Sequence, residues 1–148
     1  MSIGLWVRGA RPKTLATSIA SVMVGATMAY AHIEQSGTCI AIYPEPASCA
    51  TAREQQTLLM DRFWPVTILC LLVALFLQIA VNYANDYSDG IRGTDAGRDT
   101  DESKSGKPQR LTASGLVPAK HVLFAAMICA AIACICGVVA VVLAQAWW

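Results

Sequence analysis

Three stretches of the chain contain no Asp, Glu, Lys or Arg: Thr14–Ile33 with 20 residues, Phe63–Asn85 with 23 and Val122–Trp148 with 27. A helix rises about 1.5 Å per residue, so about 20 residues cross a hydrocarbon core of about 30 Å. Inside that core the backbone must satisfy its own hydrogen bonds, which a chain of this kind achieves by forming helices. The expected fold is therefore all-α and transmembrane, with about three membrane-spanning helices near residues 14–33, 63–89 and 119–146. They form one membrane domain over residues 1–148, with a loop near 90–117. The composition agrees: 55% hydrophobic and 14% charged, with a mean hydropathy of +0.49. Soluble domains are about 45–50% apolar and about 25% charged. A net charge of +1 offers no nucleic-acid surface.

The first stretch is rich in Ala, Ser, Thr and Gly, which suits close helix packing in lipid. It is longer than a signal-peptide core and has no clear cleavage site, so it is expected to be retained. Orientation follows from Lys and Arg. Arg8, Arg11 and Lys13 precede the first helix, and Arg92, Arg98, Lys104, Lys107, Arg110 and Lys120 follow the second. Between the two stand only Arg53 and Arg62. This places the N-terminus and the second loop in the cytoplasm, and the first loop outside. Residues 1–13 read as a basic tail or interfacial helix with Leu5 and Trp6 on its apolar side. The outer loop from about Ala50 is expected to be helical and to lie on the membrane. Cys39 and Cys49 can pair in an oxidising compartment, while Cys70, Cys129, Cys134 and Cys136 read as packing residues. Three helices have little interior, which predicts a larger multi-helix bundle or an oligomer.

The second stretch ends in "VNYANDYSDGIRGTDAG", Val81–Gly97. Continued as a helix, it carries Gln78, Asn82, Asn85, Asp86 and Asp89 on one face, with Gly90 and Gly93 to end it. An Asn at Asn82 is costly in lipid unless it faces protein or water. The stripe therefore points into a cavity open to the cytoplasm, which Asp95 and Asp99 can reach from the loop. Converging carboxylates and carboxamides suit a hard cation such as Mg²⁺ or Ca²⁺. Mg²⁺ commonly takes one or two carboxylates and leaves its other positions to water and substrate phosphates. The candidate metal ligands are Asn82, Asn85, Asp86, Asp89 and Asp95. A solvated helix end is the plainer alternative. An EF-hand is excluded because Ala96 stands where the bidentate Glu belongs. The Asp89-Gly90 and Asp95…Asp99 fragments only partly match CDP-alcohol phosphatidyltransferases.

"NDYSD" at residues 85–89, at the cytoplasmic end of the second helix, resembles the first aspartate-rich motif of the UbiA superfamily of intramembrane aromatic prenyltransferases. The displaced form "NDYSDGIRGTD" is most similar to the branch acting on 1,4-dihydroxy-2-naphthoate. "RPKTL" at 11–15 and "QRLTASGLVPAKHV" at 109–122 resemble two further stretches of that branch in the same order. The resemblance implies a Mg²⁺-dependent enzyme that moves a polyprenyl group from polyprenyl diphosphate to dihydroxynaphthoate in menaquinone biosynthesis. Alternatives are another acceptor such as 4-hydroxybenzoate, or a non-enzymatic cation-binding membrane subunit. It implies catalytic roles for Asn85, Asp86 and Asp89, and diphosphate binding by Arg11, Lys13, Lys107 and Arg110. Those four cations also fit the plainer roles of topology signal and solvated loop charge. Family members carry a second aspartate motif, but no Asp or Glu follows Pro118 here. The chain thus resembles the N-terminal portion of such an enzyme, multi-pass in a bacterial inner (cytoplasmic) membrane.

Overall fold

The computed structural model describes residues 3–37, 46–92, 111–112 and 117–145. Most of them lie in four helices: α1 (Ile3–Gly9), α2 (Pro12–Ser36), α3 (Pro46–Arg92) and α4 (Ala119–Ala144). The last three are each long and apolar enough to cross a membrane, and no strand occurs among the described residues. The molecule is an all-α, multi-pass membrane protein.

The α1–α2 break has a local cause. A residue before proline is pushed out of the right-handed helical region, so Arg11 cannot continue α1 into Pro12. Pro12 in turn suits the first turn of α2, where its missing N–H costs nothing. Arg11 stands between them at φ 52°, ψ 71°, in the left-handed region.

At 47 residues, α3 is much longer than a membrane requires. Its first third is the segment expected to form a separate helix on the membrane surface. It is instead continuous with the spanning part, through Pro65. Proline removes one backbone donor from the ladder, but the apolar run on its C-terminal side carries the helix onward. The Gln56 side chain donates to the Glu34 carbonyl at 3.2 Å, tying the start of α3 to the end of α2. At the other end the helix does not stop at Gly90 but runs to Arg92, while Gly93 lies outside the described residues.

Both α2 and α4 pack antiparallel against α3. On α4 the buried residues are Val122, Ala126, Ala133 and Ala140. The alanines recur every seven residues, so one narrow stripe of small side chains faces α3 and lets the backbones approach. Gly137 adds to it without being essential, since a Cβ there would meet Val73 at an ordinary 3.8 Å. By contrast, α2 buries no residue.

Cys49 is disulfide-bonded; Cys39, its expected partner, lies outside the described residues. Cys70, Cys129, Cys134 and Cys136 are free thiols on α3 and α4.

Candidate active site

The main buried cluster forms at one end of the bundle. Ala10, Tyr83, Leu111, Val117, Val122 and Ala126 make it, with Leu5, Trp6 and Tyr87 packed around them. These residues come from α1 and the residue after it, α3, α4 and the segment preceding α4, so the cluster joins the entry to α2, the end of α3 around Tyr87 and the described part of 111–122.

Leu111 is the plug, at 0% exposure. It seats against Gly9, where an added Cβ would come within 2.5 Å of Leu111 Cδ1 and 3.3 Å of Tyr83 Cε1. Gly90 plays the same part for Thr112, whose side chain occupies the space a Cβ would need. The Val117 N–H donates to the Leu111 carbonyl at 3.3 Å and closes the segment on itself. On the α1 side, the Tyr83 hydroxyl donates to the Trp6 carbonyl at 3.0 Å. The two rings meet edge to face, with centroids 5.6 Å apart. Tyr83, Trp6 and Leu111 were not legible as site-building residues. The nearest signal was the pair of glycines, Gly9 and Gly90, each beside a stretch that matters.

Within this corner the polar stripe of α3 divides in two. Asn82 and Asp86 are buried and bonded to protein. Asn82 Nδ2 donates to the Ala10 carbonyl at 2.8 Å and to Thr14 Oγ1 at 3.0 Å. Gln78 Nε2 lies 3.4 Å from Asn82 Oδ1, a long contact. Asp86 Oδ2 accepts the Leu111 N–H at 2.7 Å, a charge-assisted bond that anchors the plug segment to α3. Asn85 is exposed and Asp89 half-buried, one turn apart. These two form the less buried rim of the stripe, whereas Asn82 and Asp86 hold the corner together.

Arg11 is half-buried beside Asn82, and Lys13 is exposed. A left-handed non-glycine residue costs about 1–3 kcal/mol and persists only where its surroundings enforce it. Lys107, Arg110 and Asp95 lie outside the described residues. Among the described residues no three His, Cys, Asp or Glu side chains come together as a metal-binding group.

On the α2–α3 seam, away from the corner, two open grooves follow one another. The nearer, about 420 Å³, is lined by Thr17, Ser18, Ser21, Ala74, Gln78 and Val81 among others. The farther, about 440 Å³, is almost wholly apolar, with Gly25, Ala29, Ile33, Leu59 and Phe63 in its wall and Arg62 the single charged residue.

The fold and corner define a multi-pass helical membrane protein with a polar site at one end of its bundle. Comparison with curated proteins makes this more specific. Over 146 residues, 99% of its length, the chain is 37% identical to a 1,4-dihydroxy-2-naphthoate octaprenyltransferase of Mycobacterium tuberculosis, covering 38% of that protein. It is 33% identical over 147 residues to the protein of the same name from Mycobacterium leprae, again 38% of its length. A third, from Haemophilus influenzae, is 29% identical over 117 residues, 28% of its length. The chain is thus similar, end to end, to a portion of 1,4-dihydroxy-2-naphthoate octaprenyltransferases, and spans 38% of the two mycobacterial relatives. No family model matches it, and neither does any solved structure.

Proposed function

We propose that the chain forms part of an enzyme transferring a polyprenyl group from polyprenyl diphosphate to 1,4-dihydroxy-2-naphthoate, in menaquinone biosynthesis. The end-to-end similarity to two mycobacterial proteins of that name, with a third matched over 117 residues, carries the proposal. The corner supports it, because the three stretches that resemble such enzymes meet there. The N-terminus and the corner face the cytoplasm of a bacterial inner membrane. The charge asymmetry, nine Lys and Arg against Arg53 and Arg62, favours that orientation.

Asn85 and Asp89 would hold Mg²⁺ at the rim. The two residues stand one helical turn apart, Asn85 exposed and Asp89 half-buried, and a carboxamide with a carboxylate is a donor set that suits a hard cation completed by phosphate oxygens. Bound there, Mg²⁺ would supply a Lewis acid for the departing diphosphate. Arg11, with Lys13, Lys107 and Arg110, would add fixed positive charge toward the same oxygens. Asp86 supports the site from behind by fixing the plug segment through the Leu111 N–H. The prenyl chain would lie along apolar surface reached from lipid.

The test is a chimera in which this chain replaces the aligned part of the M. tuberculosis relative, assayed in membranes with prenyl diphosphate and either dihydroxynaphthoate or 4-hydroxybenzoate. The proposal expects Mg²⁺-dependent product from dihydroxynaphthoate, lost on Asp89→Ala. Selective use of 4-hydroxybenzoate would move the assignment to another acceptor. A membrane-inserted chimera without product, or full activity in Asp89→Ala, would sink it.

A further inference from the structure

Among the described residues, Arg11 is one of two non-glycine residues in the left-handed region, and the other, Gln145, merely terminates α4. The conformation of Arg11 is set by rotation of the two peptide planes that flank it, one carrying the Ala10 carbonyl and the other its own. Both planes are held. The Ala10 carbonyl accepts from Asn82 Nδ2 at 2.8 Å. The Arg11 carbonyl accepts from the Thr14 hydroxyl at 2.9 Å and from the Thr14 N–H at 2.9 Å. That hydroxyl accepts in turn from Asn82 Nδ2 at 3.0 Å. The Arg11 N–H is itself satisfied by the Arg8 carbonyl at 3.1 Å. One buried amide group, 4% exposed, therefore reaches both planes, the first directly and the second through a hydroxyl relay.

We infer that Asn82 is a positioning residue. By bonding the Ala10 carbonyl and the Thr14 hydroxyl it holds Arg11 left-handed, and so sets the direction from which the Arg11 guanidinium approaches diphosphate at Asn85 and Asp89. Asn85 lies about 4.5 Å and Asp89 about 10.5 Å farther along α3, at about 1.5 Å per residue. The inference rests on the prenyl-diphosphate reading of that rim. It gives Asn82 a task other than metal ligation, and the chemistry separates the two. Ala10 offers only an acceptor, so the position needs an N–H donor. A carboxylate of the same shape would repel that carbonyl, whereas a metal ligand would be kept or improved by the same change.

The experiment uses the full chain in lipid nanodiscs, with Mg²⁺ and geranyl thiodiphosphate as probes. Variants are Asn82→Asp, Thr14→Val, Arg11→Gln and the Asn82→Asp/Arg11→Gln pair, with helix content checked by circular dichroism. Carbon chemical shifts of residue 11 report its backbone directly. The inference expects a left-handed signature in the native chain, lost in Asn82→Asp and weakened in Thr14→Val. Thiodiphosphate affinity should fall about tenfold in Asn82→Asp, the loss of one charged hydrogen bond. Half-saturating Mg²⁺ should stay within about twofold, and the paired variant should bind no worse than Arg11→Gln alone. An unchanged residue-11 signature, losses that multiply in the pair, or tighter Mg²⁺ binding in Asn82→Asp would overturn it. Should Asn82→Asp fail to fold, Thr14→Val decides by the same signature. A native chain that binds no thiodiphosphate overturns the prenyl-diphosphate reading and the use assigned to Arg11. The residue-11 signature alone then decides whether Asn82 holds the backbone.

Discussion

The two ends of the α2–α3 hairpin are built on opposite plans. At the corner, α1, α3, α4 and the plug segment close around Leu111 and Tyr83, and most of the fully buried side chains are there. At the far end, an almost wholly apolar lining nevertheless leaves an open groove of about 440 Å³ between Gly25, Ala29, Leu59 and Phe63. Hydrophobicity therefore does not predict where this chain is packed. In lipid an apolar side chain gains little by leaving the solvent, so burial follows close fit and hydrogen bonding. The corner has both, through Gly9 against Leu111, Tyr83 on Trp6, Asn82 on Ala10 and Asp86 on the Leu111 N–H. The groove offers small residues and one aromatic contact, Tyr30 on Phe63 with centroids 5.5 Å apart.

The contrast makes paired predictions, each checked by chemical denaturation of the chain in micelles, followed by helical circular dichroism. The largest gap is expected between Leu111→Ala and Leu59→Ala. Leu111 leaves a cavity in a closed site, about 2–4 kcal/mol. Leu59 is 45% exposed, and its truncation should cost under about 1 kcal/mol. Equal losses would mean that the far end is closed too. The next gap lies between two glycines. Gly9→Ala must displace Leu111 and Tyr83 and should cost about 1–3 kcal/mol. Gly25 has nothing within 4 Å of an added Cβ, so Gly25→Ala should stay within about 0.5 kcal/mol. The smallest gap separates Tyr83→Phe, which removes the bond to the Trp6 carbonyl and should cost about 1 kcal/mol, from Tyr30→Phe, which keeps its ring contact and should be near neutral.

The spans were legible because charge exclusion over 20 or more residues has one common physical cause. The polar stripe was legible as a stripe, from its helical spacing. Its division was not, because spacing places Asn82, Asn85, Asp86 and Asp89 on one face without saying which will meet protein and which solvent. That depends on α1 and the plug segment reaching them from 72 and 25 residues away. The continuity of α3 through Pro65 was hidden for a different reason. Proline and the charges of residues 53–62 read locally as a boundary, yet one helix runs through both.

Asp86 and Asp89 carry the central claim, since adjacent turns of one helix are given different tasks. The most direct test is the Mg²⁺ dependence of prenyl transfer in the chimera, measured for Asp86→Asn and Asp89→Asn. Loss of a group hydrogen-bonded to a metal ligand typically costs about 10–100-fold in metal affinity, and loss of the ligand itself at least as much; the Asp86 bond to the Leu111 N–H instead fixes the plug segment, so its loss should reach the metal less. The account predicts that Asp89→Asn raises half-saturating Mg²⁺ by more than about tenfold or abolishes turnover. In Asp86→Asn, half-saturation should stay within about tenfold while the protein becomes less stable. A large shift in Mg²⁺ dependence from Asp86→Asn, with none from Asp89→Asn, would contradict it.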